Sequence, residues 1–190
     1  MQDRRERAVR VVFSRLFKRN SGREAGERLY IALATQARHP DFYLRLGVAD
    51  SLDGRFDSVA LHVFLALNRL KREEGPEAAA LAQDLVDVFV DDMDRSVREM
   101  GVGDMGVSRR VKQMAQALYG RAAVYEEAVA QPDDAKLVAA LTRNLYAGVE
   151  KPEGAAAARY VRAAIATLAG QDLPALTQGV PTFPVPGAAV

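Results

Sequence analysis

The sequence predicts an all-α protein that forms a single compact domain of about six helices. Apolar residues recur at spacings of three and four over long stretches, which places them on one face of an α-helix. No stretch shows the alternation typical of strands, and no internal repeat is present. The chain has 190 residues, 49% of them hydrophobic and 27% charged, which is sufficient for one domain with a buried core.

The first predicted helix, at residues 1–20, is basic and amphipathic. It contains seven arginine and lysine residues against two acidic ones, a net charge of +5. Such a helix can lie on an anionic membrane surface, or its apolar face can dock on the rest of the domain. Both alternatives stay open at this point. The residues predicted to contact a membrane are Arg4, Arg5, Val9, Val12, Phe13, Leu16 and Phe17.

Prolines and glycines delimit the next helices. A helix over about residues 24–38 ends before Pro40, because the residue preceding a proline disfavours helical backbone angles. Residues 42–56 are predicted to be mostly irregular. A long helix follows, and Gly75 and Pro76 close it.

Four further helices are predicted, over about residues 76–100, 107–130, 135–146 and 153–169. The alanine content of the last two favours helix and allows close packing. Beyond them the chain is rich in proline and poor in charge, so it should form a disordered tail or an extended strap across the surface. The predicted organisation is an N-terminal helix (residues 1–20), a helical domain (21–172) and a Pro-rich tail (173–190).

The composition argues against most enzyme classes. The chain has no cysteine, which excludes disulfides, thiolate metal sites and a cysteine nucleophile. It has only two histidines, and no nucleophile elbow or P-loop. We therefore predict no catalytic residue, no metal and no cofactor. The arginine-rich composition is not interleaved with exposed aromatic residues, so we predict no nucleic-acid partner.

A row of four aspartates lies on one face of the helix predicted over residues 76–100, namely Asp84, Asp87, Asp91 and Asp94. A carboxylate metal site is one interpretation, although helical bundles of that type pair glutamate with Glu-x-x-His motifs, which are absent. The row can also be solvated, contact a basic partner, or pair with the chain's own basic N-terminal part. Residues 1–45 carry eleven basic and five acidic residues, whereas residues 46–105 carry six and thirteen.

Gly101, Gly103 and Gly106 match the spacing of the dinucleotide-binding fingerprint. That fingerprint requires a strand before it, and the preceding segment is helical by its periodicity. We therefore predict a turn between two helices.

Four blocks of sequence resemble the ubiquinol–cytochrome c chaperone family, whose members assist assembly of respiratory complex III. They are Ala37-Arg38-His39-Pro40-Asp41-Phe42-Tyr43, the block from Gly47 to Phe56, the block from Asp92 to Asp104, and a helix with Tyr119-Gly120-Arg121 and Tyr125. Several blocks in a fixed order make the resemblance more specific than any one of them.

The resemblance implies a non-catalytic assembly factor that binds newly made cytochrome b for the ubiquinol–cytochrome c reductase. Mitochondrial members work with a second small protein, which is therefore an additional candidate partner. The N-terminus lacks a clear targeting sequence and no apolar run approaches the ~20 residues of a membrane span, so the chain resembles a bacterial member. We expect it in the cytoplasm, including the inner face of the membrane, with the mitochondrial matrix as the alternative.

Within this resemblance, the Gly47–Phe56 and Arg98–Asp104 blocks are predicted to meet and frame a docking surface. Arg55 is expected to bridge them through Asp104 or Glu99, and Phe56 to anchor the first block in the core. Tyr43, Leu44, Leu46 and Val48 are expected to supply exposed apolar surface. The candidate client-binding residues are Phe42, Tyr43, Leu46, Val48, Asp50, Asp53, Gly54, Arg55, Phe56, Arg98, Glu99, Met100, Gly101, Gly103, Asp104 and Met105.

Two other functions remain open from the sequence. A membrane-peripheral scaffold would recruit proteins through the acidic helix and the basic N-terminus. A carboxylate-metal enzyme would contain stoichiometric iron or manganese. The blocks themselves could also be purely structural and fix the crossing of two loops.

Overall fold

The computed structural model describes residues 23–150 and 152–188, and within them the protein consists of helices and turns. The prediction of an all-α domain is confirmed. The predicted basic helix at residues 1–20, with its membrane-contact candidates between Arg4 and Phe17, lies outside the described residues. The helices are α1 (Arg23–Ala37), α2 (Pro40–Leu44), α3 (Leu52–Leu70), α4 (Pro76–Glu99), α5 (Asp104–Val129), α6 (Ala135–Leu145), α7 (Gly154–Ala169) and α8 (Leu173–Thr177).

The segment predicted to be mostly irregular contains helix at both ends. At its start, the His39 ring accepts a hydrogen bond from the Asp41 amide and caps α2. At its end, the Ser51 hydroxyl accepts a hydrogen bond of 3.1 Å from the Gly54 amide and caps α3. The prediction of irregular structure is therefore wrong for residues 42–44 and 52–56. The two caps satisfy the free amides of a first helical turn at these places.

α3 is the central helix of the domain. Every residue from Asp57 to Ala66 is buried, so this part of α3 is covered on all sides. One hydrophobic cluster packs α3 against α2, α5, α6 and α7. A second cluster packs its other side against α1, α4, α5 and α8. The position of α3 therefore fixes the position of the Gly47–Phe56 block that precedes and begins it.

A buried histidine joins α3 to α7. His62 Nδ1 lies 2.7 Å from the Ser58 carbonyl, which can only accept, so Nδ1 carries the proton and Nε2 accepts from the Tyr160 hydroxyl at 2.8 Å. Burial lowers the pKa of His62 to about 4, and the ring is therefore neutral at pH 7. The Tyr160 hydroxyl thus satisfies a polar atom that has no access to water.

Replacing Tyr160 with phenylalanine should lower the free energy of unfolding by about 2 kcal/mol, because it leaves Nε2 of His62 buried without a donor. Urea denaturation would measure this loss. Tyr43→Phe is the matched control, since the half-buried Tyr43 hydroxyl donates only a long hydrogen bond of 3.4 Å to Ala37. We expect less than about 0.5 kcal/mol there. Equal losses in the two variants would contradict the role given to Tyr160.

The Pro-rich segment begins with a short helix and continues as an extended strap. Asp172 caps α8 by accepting a hydrogen bond from the Ala175 amide, and Pro174 occupies the first turn, where proline is tolerated. The prediction of a disordered tail or an extended strap is therefore wrong for the residues of α8. After α8 the strap, residues 178–188, contacts both hydrophobic clusters through Phe183.

Candidate functional site

The Gly47–Phe56 block is a tight loop that lies against the first turn of α3. Gly47 has a φ of +65°, and the Val48 amide donates to the Phe42 carbonyl at 2.9 Å. Gly54 meets the backbone of the same loop, because a Cβ atom at this position would lie 2.1 Å from the Ala49 carbonyl oxygen. A side chain at position 54 would therefore force the loop away from the helix.

Three candidate residues near this loop are core residues. Phe42, Leu46 and Val48 are buried in the first hydrophobic cluster and offer no surface to a client. The expectation that Leu46 and Val48 are exposed is wrong, since the turn at Gly47 directs both side chains inward. Leu44 is exposed.

The remaining side chains of the first block are mostly accessible to solvent. Tyr43 and Phe56 are half-buried, and Asp53 is exposed in the first turn of α3. Asp50 and Arg55 are also exposed, and both take part in ion pairing. The accessible part of this block is therefore polar and aromatic apart from Leu52, which is exposed at the start of α3.

The predicted bridge from Arg55 to Asp104 or Glu99 is wrong. Arg55 donates to Asp50 at 2.7 Å, and this hydrogen bond lowers the pKa of the Asp50 carboxyl. In the second block, Arg98 donates to Asp104 at 2.8 Å. Each arginine therefore pairs with a carboxylate that is close to it in the sequence, and not with the other block.

The Arg98–Asp104 block forms the turn of the α4–α5 hairpin. Gly101 has a φ of +76°, which reverses the chain, and Gly103 lies directly before α5. Because helices flank the turn on both sides, the prediction of a helix–turn–helix connection is confirmed and the glycines do not form a dinucleotide fingerprint. Arg98, Glu99, Met100, Gly101, Gly103, Asp104 and Met105 are all exposed.

A buried ion pair holds the start of α3 against α5. Arg121 lies 2.6 Å from Asp57, whose exposed fraction is 4%. Burial raises the pKa of Asp57 to about 6, although the attraction of Arg121 opposes this shift. The same guanidinium lies 5.4 Å above the ring of Phe56, which packs against Phe89 at 6.0 Å. Phe56 thus packs on the core at the point where α3, α4 and α5 meet.

The two blocks lie at the same end of the molecule, and the second projects beyond the first. α3 and α4 are joined by a short turn and run antiparallel, with Phe56 opposite Phe89. α3 begins four residues before Phe56, which is a length of about 6 Å along the helix axis. α4 continues for ten residues past Phe89, which is a length of about 15 Å. The end of α4 therefore extends about 9 Å past the start of α3.

Methionines cover this projecting part, which we call the hairpin end. Met100 and Met105 lie here, whereas Met93 is buried in the second hydrophobic cluster and Met114 is half-buried against it. Met93 follows Phe89 on the buried face of α4, and Met100, seven residues later, directly follows the last residue of the helix. Met100 and Met105 are 44% and 93% exposed, and Leu52 at the start of α3 is 63% exposed. The hairpin end is therefore an open, flexible apolar surface.

The sequence prediction included Met100 and Met105 but missed Leu52. Leu52 carried no signal in the sequence, because its exposure depends on where α3 begins.

The aspartate row of α4 does not form a metal site. Over residues 23–150 and 152–188, no group of three or more His, Asp or Glu side chains is arranged to hold a metal ion. Asp91 pairs with Arg23, Asp92 accepts from Tyr30, and Asp94 pairs with Arg98. No helix in the described part of the chain is both long enough and apolar enough to cross a membrane.

Comparison with known proteins gives consistent matches. The sequence model of the family described as "Ubiquinol-cytochrome C chaperone" matches residues 44–183. A Xenopus laevis protein, ubiquinol-cytochrome-c reductase complex assembly factor 1, is 27% identical over 121 residues, which are 64% of this chain and 60% of that protein. Its Mus musculus counterpart is 27% identical over 122 residues, which are 41% of its length. The matched part of the chain thus spans 60% and 41% of the length of these two relatives, less than two thirds of either.

A solved structure covers the chain almost completely. The crystal structure of the Cbp3 homolog from Brucella abortus is 33% identical in sequence, covers 97% of both chains, and superposes with a TM-score of 0.76. The two proteins share the fold over nearly their whole length.

Proposed function

The chain belongs to the ubiquinol–cytochrome C chaperone family, and from this premise we propose that it assists assembly of the ubiquinol–cytochrome c reductase by holding newly made cytochrome b. The protein would bind and release this client without catalysing a reaction. It would do so at the cytoplasmic face of the membrane, and a second small protein is a further candidate partner.

The exposed methionines of the hairpin end carry this proposal. A newly made membrane protein presents apolar helical segments of varied shape, and methionine side chains adapt to such surfaces because they are unbranched and flexible. Met100 and Met105 are exposed, and Leu52 at the start of α3 is exposed as well. A client helix would lie along the face of α4 that extends past α3, in a helix-in-groove contact.

Charged side chains surround this apolar surface and suit the rim of an interface. Arg98 and Asp104 pair on the hairpin turn, and Asp50 and Arg55 pair on the first block. All four are exposed. Such rim pairs contribute little affinity but orient a partner and disfavour wrong ones.

We expect the double variant Met100→Glu/Met105→Glu to recover about tenfold less cytochrome b than the parent protein, since tenfold corresponds to ~1.4 kcal/mol. Both side chains are exposed, so the charges should leave the fold intact. The measurement is copurification of cytochrome b from cells that express tagged protein, with circular dichroism as a check of folding.

The matched control is Ile31→Glu, which places a charge on an exposed apolar residue of α1, a helix that contributes no residue to the hairpin end. It should recover as much cytochrome b as the parent protein. Equal recovery from the double variant would remove the hairpin end as the client site. Failure of the parent protein to recover cytochrome b would contradict the proposal that cytochrome b is the client.

A further inference from the structure

We propose that residues 1–22 bind back onto the outer acidic face of α4, a surface made of Asp87, Val90, Asp91 and Asp94. The occupant is thus a segment of the same chain that lies outside the described residues. α4 carries seven acidic and two basic side chains, a net charge of −5.

The point where the segment joins the domain supports this placement. Arg23, the first residue of α1, forms an ion pair with Asp91. One turn further along α1, Gly26 packs directly on α4, because a Cβ atom there would lie 2.7 Å from Cβ of Asp84. The start of α1 at Arg23 is therefore beside the acidic face, and the entropic cost of closing so short a connection is small.

The charges of the two surfaces match. Residues 1–22 carry seven basic and two acidic side chains, a net charge of +5, against −5 on α4. Within the proposed surface, Asp91 and Asp94 already pair with Arg23 and Arg98, so Asp87 is the carboxylate that the segment would contact. Asp87 is half-buried and accepts a hydrogen bond from Gln83, but it forms no ion pair with another described residue. An arginine of the segment would supply the missing cation.

The apolar residues of the segment also find a matching surface. Val90 is half-buried at the edge of the second hydrophobic cluster, between Asp87 and Asp94 along α4. Phe13 and Phe17 lie at helical spacing among the basic residues, so one face of the segment presents both kinds of group. Binding to α4 and binding to an anionic membrane would use the same side chains and exclude each other.

A distance measurement between two spin labels tests the proposal in the full-length chain. The chain has no cysteine, so Ala8→Cys and Ala80→Cys give a single pair of labels, with position 80 exposed on α4. We expect one narrow distance distribution. A free tether of 15 residues would instead spread the distances over about 20 Å.

Removing the charges of α4 should free the segment. In the labelled background, Asp87→Asn/Asp91→Asn/Asp94→Asn should broaden the distribution, whereas the control Glu126→Gln/Glu127→Gln/Asp133→Asn removes three exposed acidic residues elsewhere and should leave it narrow. Arg5→Glu/Arg10→Glu/Arg15→Glu should also broaden it without changing α4 itself. A broad distribution in the parent chain, or a narrow one in every variant, would overturn the proposal. A distribution that narrows only when phosphatidylglycerol vesicles are added would assign the segment to the membrane instead.

Discussion

A protein with alanine in place of Gly54 is expected to unfold roughly 10 °C below the parent protein. The added Cβ atom would lie 2.1 Å from the carbonyl oxygen of Ala49 and 3.1 Å from its carbon. These are backbone atoms, so no change of rotamer relieves the clash, and the loop must move away from α3. We estimate a cost of about 3 kcal/mol, measurable by differential scanning calorimetry.

Gly120→Ala is the matched control for this substitution. Gly120 is exposed within α5, and a Cβ atom there would have no neighbour within 4 Å. Alanine should therefore stabilise the protein by about 0.5–1 kcal/mol, because glycine is unfavourable inside a helix. If Gly54→Ala melted at the same temperature as the parent protein, the contact between the first block and α3 described above would be wrong.

Replacing Arg121 with methionine should cost about 3–5 kcal/mol at neutral pH. The variant leaves Asp57 buried without its cation, at the point where α3, α4 and α5 meet. It also removes the guanidinium above the ring of Phe56. Urea denaturation at pH 7.5 would measure the loss. The exposed Arg109 on the same helix, changed to methionine, serves as the control and should alter stability by less than about 0.5 kcal/mol.

The loss in Arg121→Met should depend on pH. The folded protein raises the pKa of Asp57 from its ordinary value of 3.8 to about 6, so the folded state binds this proton more tightly than the unfolded state. The contribution of Asp57 to stability is therefore fully present below about pH 4 and is lost as the pH rises through 6. Without Arg121 the pKa rises further, so the deficit should be smaller at pH 5 than at pH 7.5. A deficit independent of pH would show that the lost charge pairing is not its cause.

The long helices could be predicted because their apolar residues repeat at helical spacing and prolines or glycines bound them. The residue at which α3 begins was harder to predict, although Ser51 before an apolar run is a recognisable cap. The pair between Asp57 and Arg121 could not be predicted, since it depends on how α3 and α5 cross rather than on either local sequence. The partner of Arg55 likewise depends on the tertiary structure, which the local sequence does not determine.

The candidate site also contains features that the sequence could predict and features that it could not. The two blocks lie at one end of the molecule because α3 and α4 run antiparallel, and whether they act together stays a prediction. The inward direction of Leu46 and Val48 depends on the turn at Gly47, and spacing alone does not reveal it. The methionines were visible in the sequence, but their exposure follows from the different lengths of α3 and α4.

The strap has a consequence for biosynthesis. Gly179 packs against Arg28 and Gly187 packs against Arg45, so residues translated late complete the packing of residues translated early. Until residue 187 has left the ribosome, α1 and the end of α2 lack the strap residues that pack against them. The nascent chain therefore reaches its final packing only after the strap has emerged and closed against α1 and the residue that follows α2.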